Sequence, residues 1–151
     1  MKWIDRLWRR VALRMQRELY NIYYVHGPRE RLTIGKNNRL ANTLFNTRSG
    51  SIRVGDDVIF GHNVSVLTGA HDYEQPAGLR RTLENAGRDI VIEDGVWIAS
   101  NVTIIGPVRI GAEAVVSAGS VVTRDVEARS IVAGVPAKTI RTLEINSALA
   151  A

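Results

Sequence analysis

At 151 residues, 45% of them apolar, the chain is sized for one domain with a complete core. It contains no cysteine, which excludes disulfides, a thiolate nucleophile and cysteine-based zinc sites. The net charge of +5 is local: residues 1–31 carry eight basic and three acidic side chains, and the other 120 carry twelve of each. That distribution argues against a nucleic-acid binder, whose basic surface extends over the recognition fold. No apolar run is long enough to span a bilayer, and the N-terminus lacks the unbroken apolar core of a signal peptide, so a cytoplasmic protein is expected.

Met1 to about Tyr24 has helical periodicity. Trp3, Ile4, Leu7, Trp8, Val11, Met15, Leu19, Ile22 and Tyr23 recur at steps of three and four, with arginines opposite. A helix that caps the open end of a repeat fold is the expected role. A helix lying on an anionic membrane face, which Trp and Arg together suit, is the alternative, and the two can coexist. Gly27-Pro28 breaks the helix, so residues 1–27 form an N-terminal segment.

From about Leu32 the chain begins to count in sixes. IGKNNR and LANTLF fit that frame, after which Asn46-Thr47 shift the register by two. The polar cluster Asn42, Asn46, Thr47, Arg48 and Ser49 falls at this slip, and irregular corners of a regular scaffold are reasonable places for function. The frame resumes as VGDDVI, FGHNVS and VLTGAH from Val54 to His71. It fails over residues 72–87, a polar, charged and proline-containing stretch that predicts a loop extruded between two coils. It is cleanest from Ile92 to Glu127, as IEDGVW, IASNVT, IIGPVR, IGAEAV, VSAGSV and VTRDVE. Ala133-Gly134-Val135-Pro136-Ala137-Lys138 then closes the last coil. Thr139 to Ala151 is a short tail in which a helical turn is the only element suggested.

A period of six with Gly, Asn and Asp inside it is not helical, and it is not the simple alternation of a strand. It belongs to parallel β-helices in which each hexad is a short strand plus a turn. Three hexads make one coil of a triangular prism. Each first-position Ile or Val points to the axis and stacks on its equivalent about 4.8 Å away. The small fifth residue lets the chain turn, and Gly, Asn and Asp accept the corner dihedrals. The expected organisation is therefore a β-helix over residues 28–141, with a tail at residues 142–151.

Among side chains that could do chemistry, His71 ends the hexad before the loop, at a coil corner, where an imidazole would be exposed to a substrate. His62 and His26 read as surface residues. Trp97 occupies a sixth, outward position, which suits either an oligomer interface or the wall of a site. Arg124 and Lys138, taken by themselves, are solvated surface charges.

The hexads, the loop after Thr68-Gly69-Ala70-His71-Asp72, the Val96-Trp97-Ile98-Ala99-Ser100 stretch and the Ala133–Lys138 ending together resemble the hexapeptide-repeat acyltransferases. The resemblance covers about Leu32 to Arg141 and is strongest to galactoside, maltose and polysaccharide-type sugar O-acetyltransferases. The N-terminal helix and the string from Asn42 to Gly50 are more loosely similar to acetyltransferases of surface polysaccharide synthesis.

That family implies a left-handed parallel β-helix, an exception to the usual right-handed crossover. It implies a homotrimer with active sites between neighbouring prisms, and acetyl-coenzyme A as a co-substrate with no permanently bound cofactor. Its catalytic histidine falls on His71 and its site-shaping Trp on Trp97. Its donor contacts fall on Ser100, Ala118 and Thr123, with Arg124 and Lys138 at the basic positions near the nucleotide phosphates. The acceptor-side candidates are Asn42, Asn46 and Asp72. What orients the imidazole is open between Asp72, Asp57 and a main-chain carbonyl.

The function expected on this basis is acetyl transfer to a sugar hydroxyl in surface polysaccharide or glycan synthesis, with His71 as general base. The protein would be cytoplasmic, with peripheral contact to the inner membrane face through residues 1–24. The alternatives are a non-catalytic hexapeptide-repeat scaffold and an N-acyltransferase acting on an amino sugar. A zinc enzyme on the same fold would need three protein ligands; the chain has three histidines in all, one of them in the N-terminal segment. No metal is expected.

Overall fold

The computed structural model of the protein describes residues 2–19, 21–80 and 87–144. Helix α1 spans Lys2–Leu19. The strands that follow are β1 (Tyr24–His26), β2 (Leu32–Ile34), β3 (Leu44–Asn46), β4 (Ile52–Val54), β5 (Ile59–Phe60), β6 (Ser65–Leu67) and β7 (Ile90–Ile92). After them come β8 (Trp97–Ile98), β9 (Thr103–Ile105), β10 (Val108–Ile110), β11 (Val115–Val116), β12 (Val121–Val122), β13 (Ser130–Gly134) and β14 (Ala137–Thr142).

These short strands form three sheets, one for each face of the prism. Face 1 holds β1, β3, β6, β9 and β12; face 2 holds β2, β4, β7 and β10; face 3 holds β5, β8, β11, β13 and β14. The chain visits face 2, then 3, then 1, and starts the next coil. All pairings are parallel except β13 with β14. The expected β-helix of parallel strands with one N-terminal helix is therefore what the chain forms.

The hexad frame explains the core. First-position residues stack face by face: Val54, Ile92 and Ile110; Phe60, Ile98 and Val116; Val66, Ile104 and Val122. None of these nine is more than 2% exposed. The fifth-position Val58, Val64, Val96, Val102, Val108 and Ala114 are buried between them. At about 1.5–3 kcal/mol for each large aliphatic side chain taken out of water, this column supplies the driving force for coiling. No single coil could hide its own apolar edge.

Register exposes both irregularities. In a clean coil Thr103 pairs with Val121, eighteen residues on. Ser65 pairs with Thr103, thirty-eight residues on, and the excess of twenty is the extruded loop. Leu32 pairs with Ile52, twenty on, which is the expected slip of two.

Three local expectations are corrected. Helix α1 ends at Leu19 and not near Tyr24; Tyr24–His26 instead pairs with Leu44–Asn46 as the first strand of face 1. The helix does not cap the prism. Every described side chain from Trp3 to Met15 is exposed. The N-terminal end of the core is closed by Tyr23, whose ring meets Phe45 edge to face at 5.8 Å and accepts the Arg29 guanidinium over its face at 5.4 Å. Lastly, Thr139–Thr142 is strand and not a helical turn. Gly134 and Ala137 pair across Val135-Pro136, so the ending is a hairpin that runs back along face 3. Residues 145–151 of the predicted tail lie outside the described residues.

Candidate active site

Each turn of the prism has three corners, and the predicted site residues fall on two of them. The loop leaves the corner between faces 1 and 2. Here Thr68 donates through its N–H (3.0 Å) and through Oγ1 (2.7 Å) to the Asn46 carbonyl of the preceding coil. Arg88, where the chain returns, donates from Nε to the Thr68 carbonyl at 2.9 Å and holds the mouth of the loop together. Ser51 N–H donates to the Asp89 carboxylate at 2.6 Å, which fixes the re-entry.

His71 stands at this corner and is exposed. Among the described residues no hydrogen bond reaches either ring nitrogen. Asp72 does not orient it: its carboxylate accepts from Glu74 N–H at 3.1 Å, an Asx turn that opens the loop. Asp57 is at a different corner, between faces 2 and 3, where its N–H donates to Lys36 O and its φ is +57°. Of the two proposed orienting carboxylates, that of Asp72 is therefore engaged within the loop and Asp57 lies at another corner.

Asn42 and Asn46, equally eligible in the sequence, have different jobs. Asn42 begins a ladder at the corner between faces 3 and 1. Its amide exchanges two 2.9 Å hydrogen bonds with Asn63, whose own amide donates to Asn101 at 3.3 Å. All three have φ near +60°, the left-handed conformation that Asn tolerates well. Asn46 lies on the loop corner, directly across from Leu67. Its side-chain amide packs over Gly69, where an added Cβ would fall 2.8 Å from Nδ2. Only a glycine leaves room for that amide two residues before His71. Replacing Asn42 with Ala is thus expected to lower stability by about 1 kcal/mol through the lost ladder, with little effect on activity. Asn46→Ala should do the reverse; parallel denaturation and kinetic measurements would test both.

The other group lies on the corner between faces 3 and 1. Ser100 and Ala118 occupy equivalent places in successive coils, Trp97 is 52% exposed on β8 just before them, and Lys138 pairs with Ala133 near the far end of the same edge. Ser100 Oγ accepts from His62 N–H at 3.1 Å. The exposed imidazole of His62 therefore continues this column toward the N-terminal end, level with the coil that carries His71. Sequence reasoning passed over His62; the signal was its third-position place in a hexad one coil before Ser100. Thr123 and Arg124, in contrast, are exposed on the loop corner, two coils beyond His71.

One chain thus does not assemble the predicted site. The edge carrying Asn46, His71, Asp72, Thr123 and Arg124 is separated from the edge carrying Trp97, Ser100, Ala118 and Lys138 by the width of face 1. That is about five extended residues, or roughly 17 Å. No group of three or more His, Asp or Glu side chains among the described residues is placed to hold a metal ion.

Residues 89–124 match the bacterial transferase hexapeptide (six repeats) family. The fold is also that of a hexapeptide-repeat-containing acetyltransferase from Vibrio cholerae, with a TM-score of 0.62, 32% identity, and coverage of 91% of this chain and 81% of that one. The chain belongs to the hexapeptide-repeat acyltransferase family. The same Vibrio cholerae protein is known in complex with acetyl-coenzyme A, at 31% identity and a TM-score of 0.57 over 91% of this chain and 78% of that one. A second member of the family, galactoside acetyltransferase in complex with coenzyme A, aligns with a TM-score of 0.68 and 30% identity, over 81% of this chain and 60% of that one. In sequence, the galactoside O-acetyltransferase of Escherichia coli is 34% identical over 125 residues, 83% of this chain. The chain spans 59% of that relative's length and 44% of its Lactococcus lactis counterpart's.

Proposed function

We propose that this protein is an acetyl-coenzyme-A-dependent O-acetyltransferase that modifies a sugar hydroxyl, working as a left-handed β-helix in a homotrimer. The observation that carries the reading is His71: an exposed imidazole with no hydrogen-bond partner among the described residues, at the corner where the loop departs, beside an amide seated over Gly69. Membership of a family whose relatives are named acetyltransferases supports the donor, and the galactoside relatives support the acceptor class.

The two separated edges then have a purpose. In a trimer, the loop corner of one prism faces the Ser100–Ala118 edge of its neighbour, so the acceptor is held on one chain and the donor lies along both. Arg124 and Lys138 attract the nucleotide phosphates, and Trp97 walls the thioester end. His71 takes the proton from the acceptor hydroxyl as its oxygen bonds to the thioester carbonyl carbon, with a backbone N–H at a corner stabilising the oxyanion. The tetrahedral adduct collapses, the C–S bond breaks, and the imidazolium returns its proton to the departing thiolate. With no cysteine to carry the acyl group, both substrates are bound together and positioning is a large part of catalysis. The glycan acceptor, a surface polysaccharide or its lipid-linked precursor, would be modified in the cytoplasm at the inner membrane face.

Calorimetric titration with acetyl-coenzyme A tests the donor without knowledge of the acceptor. Saturable binding near one site per chain is expected; no binding up to millimolar donor would overturn the proposal. The shared site has its own test. His71→Ala and Ser100→Trp chains should each be inactive alone. Refolded together at equal amounts, they should recover about a quarter of wild-type activity, since one site in four pairs two intact edges in a cyclic trimer. Failure to recover any activity would place both edges of the site within one chain.

A further inference from the structure

Among the described residues, helix α1 is exposed along every side chain from Trp3 to Met15. Trp3, Leu7, Val11, Ile4, Met15 and Trp8 sweep one half of its circumference, and all are exposed, from 38% for Val11 to 69% for Trp3. The opposite half holds Arg6 and Arg9 together with the exposed Leu13, and Arg10 lies at its border; Arg14 and Glu18 fall within the apolar arc. Over residues 2–19 six basic side chains face two acidic ones. The end of the prism that such a helix would otherwise cover is already closed by Tyr23, Phe45 and Arg29. Among the described residues no helix is long and apolar enough to cross a membrane.

We propose that α1 docks the protein on an anionic lipid surface, lying in the plane of the interface. A helix of strong amphipathicity and low overall hydrophobicity, with Trp on one side and Arg on the other, is built for that position. The apolar half sinks to the boundary of the acyl chains, the indoles sit at headgroup depth, and the arginines meet lipid phosphates and their negative surface potential. At 1.5 Å rise per residue the helix is about 27 Å long, enough to lay both Trp side chains and Met15 on one flat surface. In a trimer three such helices would bind together, and their avidity would exceed the affinity of one. The inference draws on the glycan reading only for the use of a membrane address; the helix itself carries the chemistry.

The test is flotation of the full chain with vesicles of phosphatidylcholine alone and with vesicles that also contain phosphatidylglycerol. Wild-type protein should partition to the anionic vesicles at least about tenfold more strongly, and added salt should weaken the binding. Trp3→Ala/Trp8→Ala should abolish flotation while leaving oligomeric mass and acetyl-coenzyme-A binding unchanged. Arg6→Glu/Arg10→Glu is a second variant that removes the charge and keeps the apolar face. Equal partition to both vesicle types, no partition, or flotation unaffected by either variant would overturn the proposal. So would a Trp variant that loses oligomeric mass, since a second copy of the chain would then be what covers the helix. Donor binding is measured separately, so failure here leaves the acetyltransferase reading standing.

Discussion

Replacing His71 with alanine is expected to lower turnover by roughly 10²–10⁴, the usual size of a general-base contribution. The structure makes this a clean experiment. The imidazole is exposed and has no hydrogen bond among the described residues, so stability should change by no more than about 0.5 kcal/mol on its removal. Affinity for acetyl-coenzyme A should persist, because the donor candidates Ser100, Ala118 and Lys138 lie on the other edge of the prism and Thr123 and Arg124 stand two coils beyond His71. Steady-state thiol release, compared with the calorimetric titration, separates the two effects. A variant that binds donor and turns over at the wild-type rate would remove His71 from the role. A variant that no longer binds donor would place the imidazole against the coenzyme instead of the acceptor.

Phe45→Ala should be the most damaging single truncation of the core, at about 3–5 kcal/mol. Phe45 is fully buried on β3 and meets two aromatic edges, Tyr23 at 5.8 Å and Phe60 at 5.7 Å. Each such pair adds roughly 0.5–1.5 kcal/mol beyond the area buried. The alanine would leave a void between the residue that closes the end of the prism and the first regular coil, and a repeat fold unravels most readily from an unsealed end. Ile59→Ala is the control: it is on the adjacent face but 45% exposed, and its loss should be much smaller. Denaturant midpoints for the two variants would decide. Equal losses would mean that the aromatic stack does not hold the end of the prism.

How much of this was legible beforehand follows from what a period can encode. From Val54 to Val126 the hexads give which residues point inward, where the coils begin and where the loop interrupts them, because all three follow from counting in six. The breaks in the count carried less information. Tyr24–His26 is a strand of three residues, too short to display any period, and it sits at the end of a helical pattern that absorbed it. The exposed helix could not be foreseen either: amphipathicity states that a face wants cover and is silent on what supplies it. In the candidate site, the position of His71 at the loop corner was readable from its place before the loop. Asn42 and Asn46 were not separable, since the slip between coils moves one into an amide ladder and the other onto the loop corner. Asp57 could have been excluded by counting, because fourteen residues before His71 is neither zero nor a multiple of a full coil. The division of the candidate residues between two edges is likewise implicit in the eighteen-residue turn, and becomes plain only when the corners are tracked one by one.

The clasp at the loop mouth has a wider consequence. Thr68 is tied to the coil before it and Arg88 is tied back to Thr68, so the chain leaves the prism and rejoins it at one closed point. The stretch that follows Asp72 is bounded by this clasp and stands outside the eighteen-residue count of the coils. The segment is a detachable cassette on a fixed frame. Exchanging the part of it beyond Asp72 for one of another length or chemistry would change what stands beside the imidazole while His71, the opposite edge and the hydrophobic column kept their places.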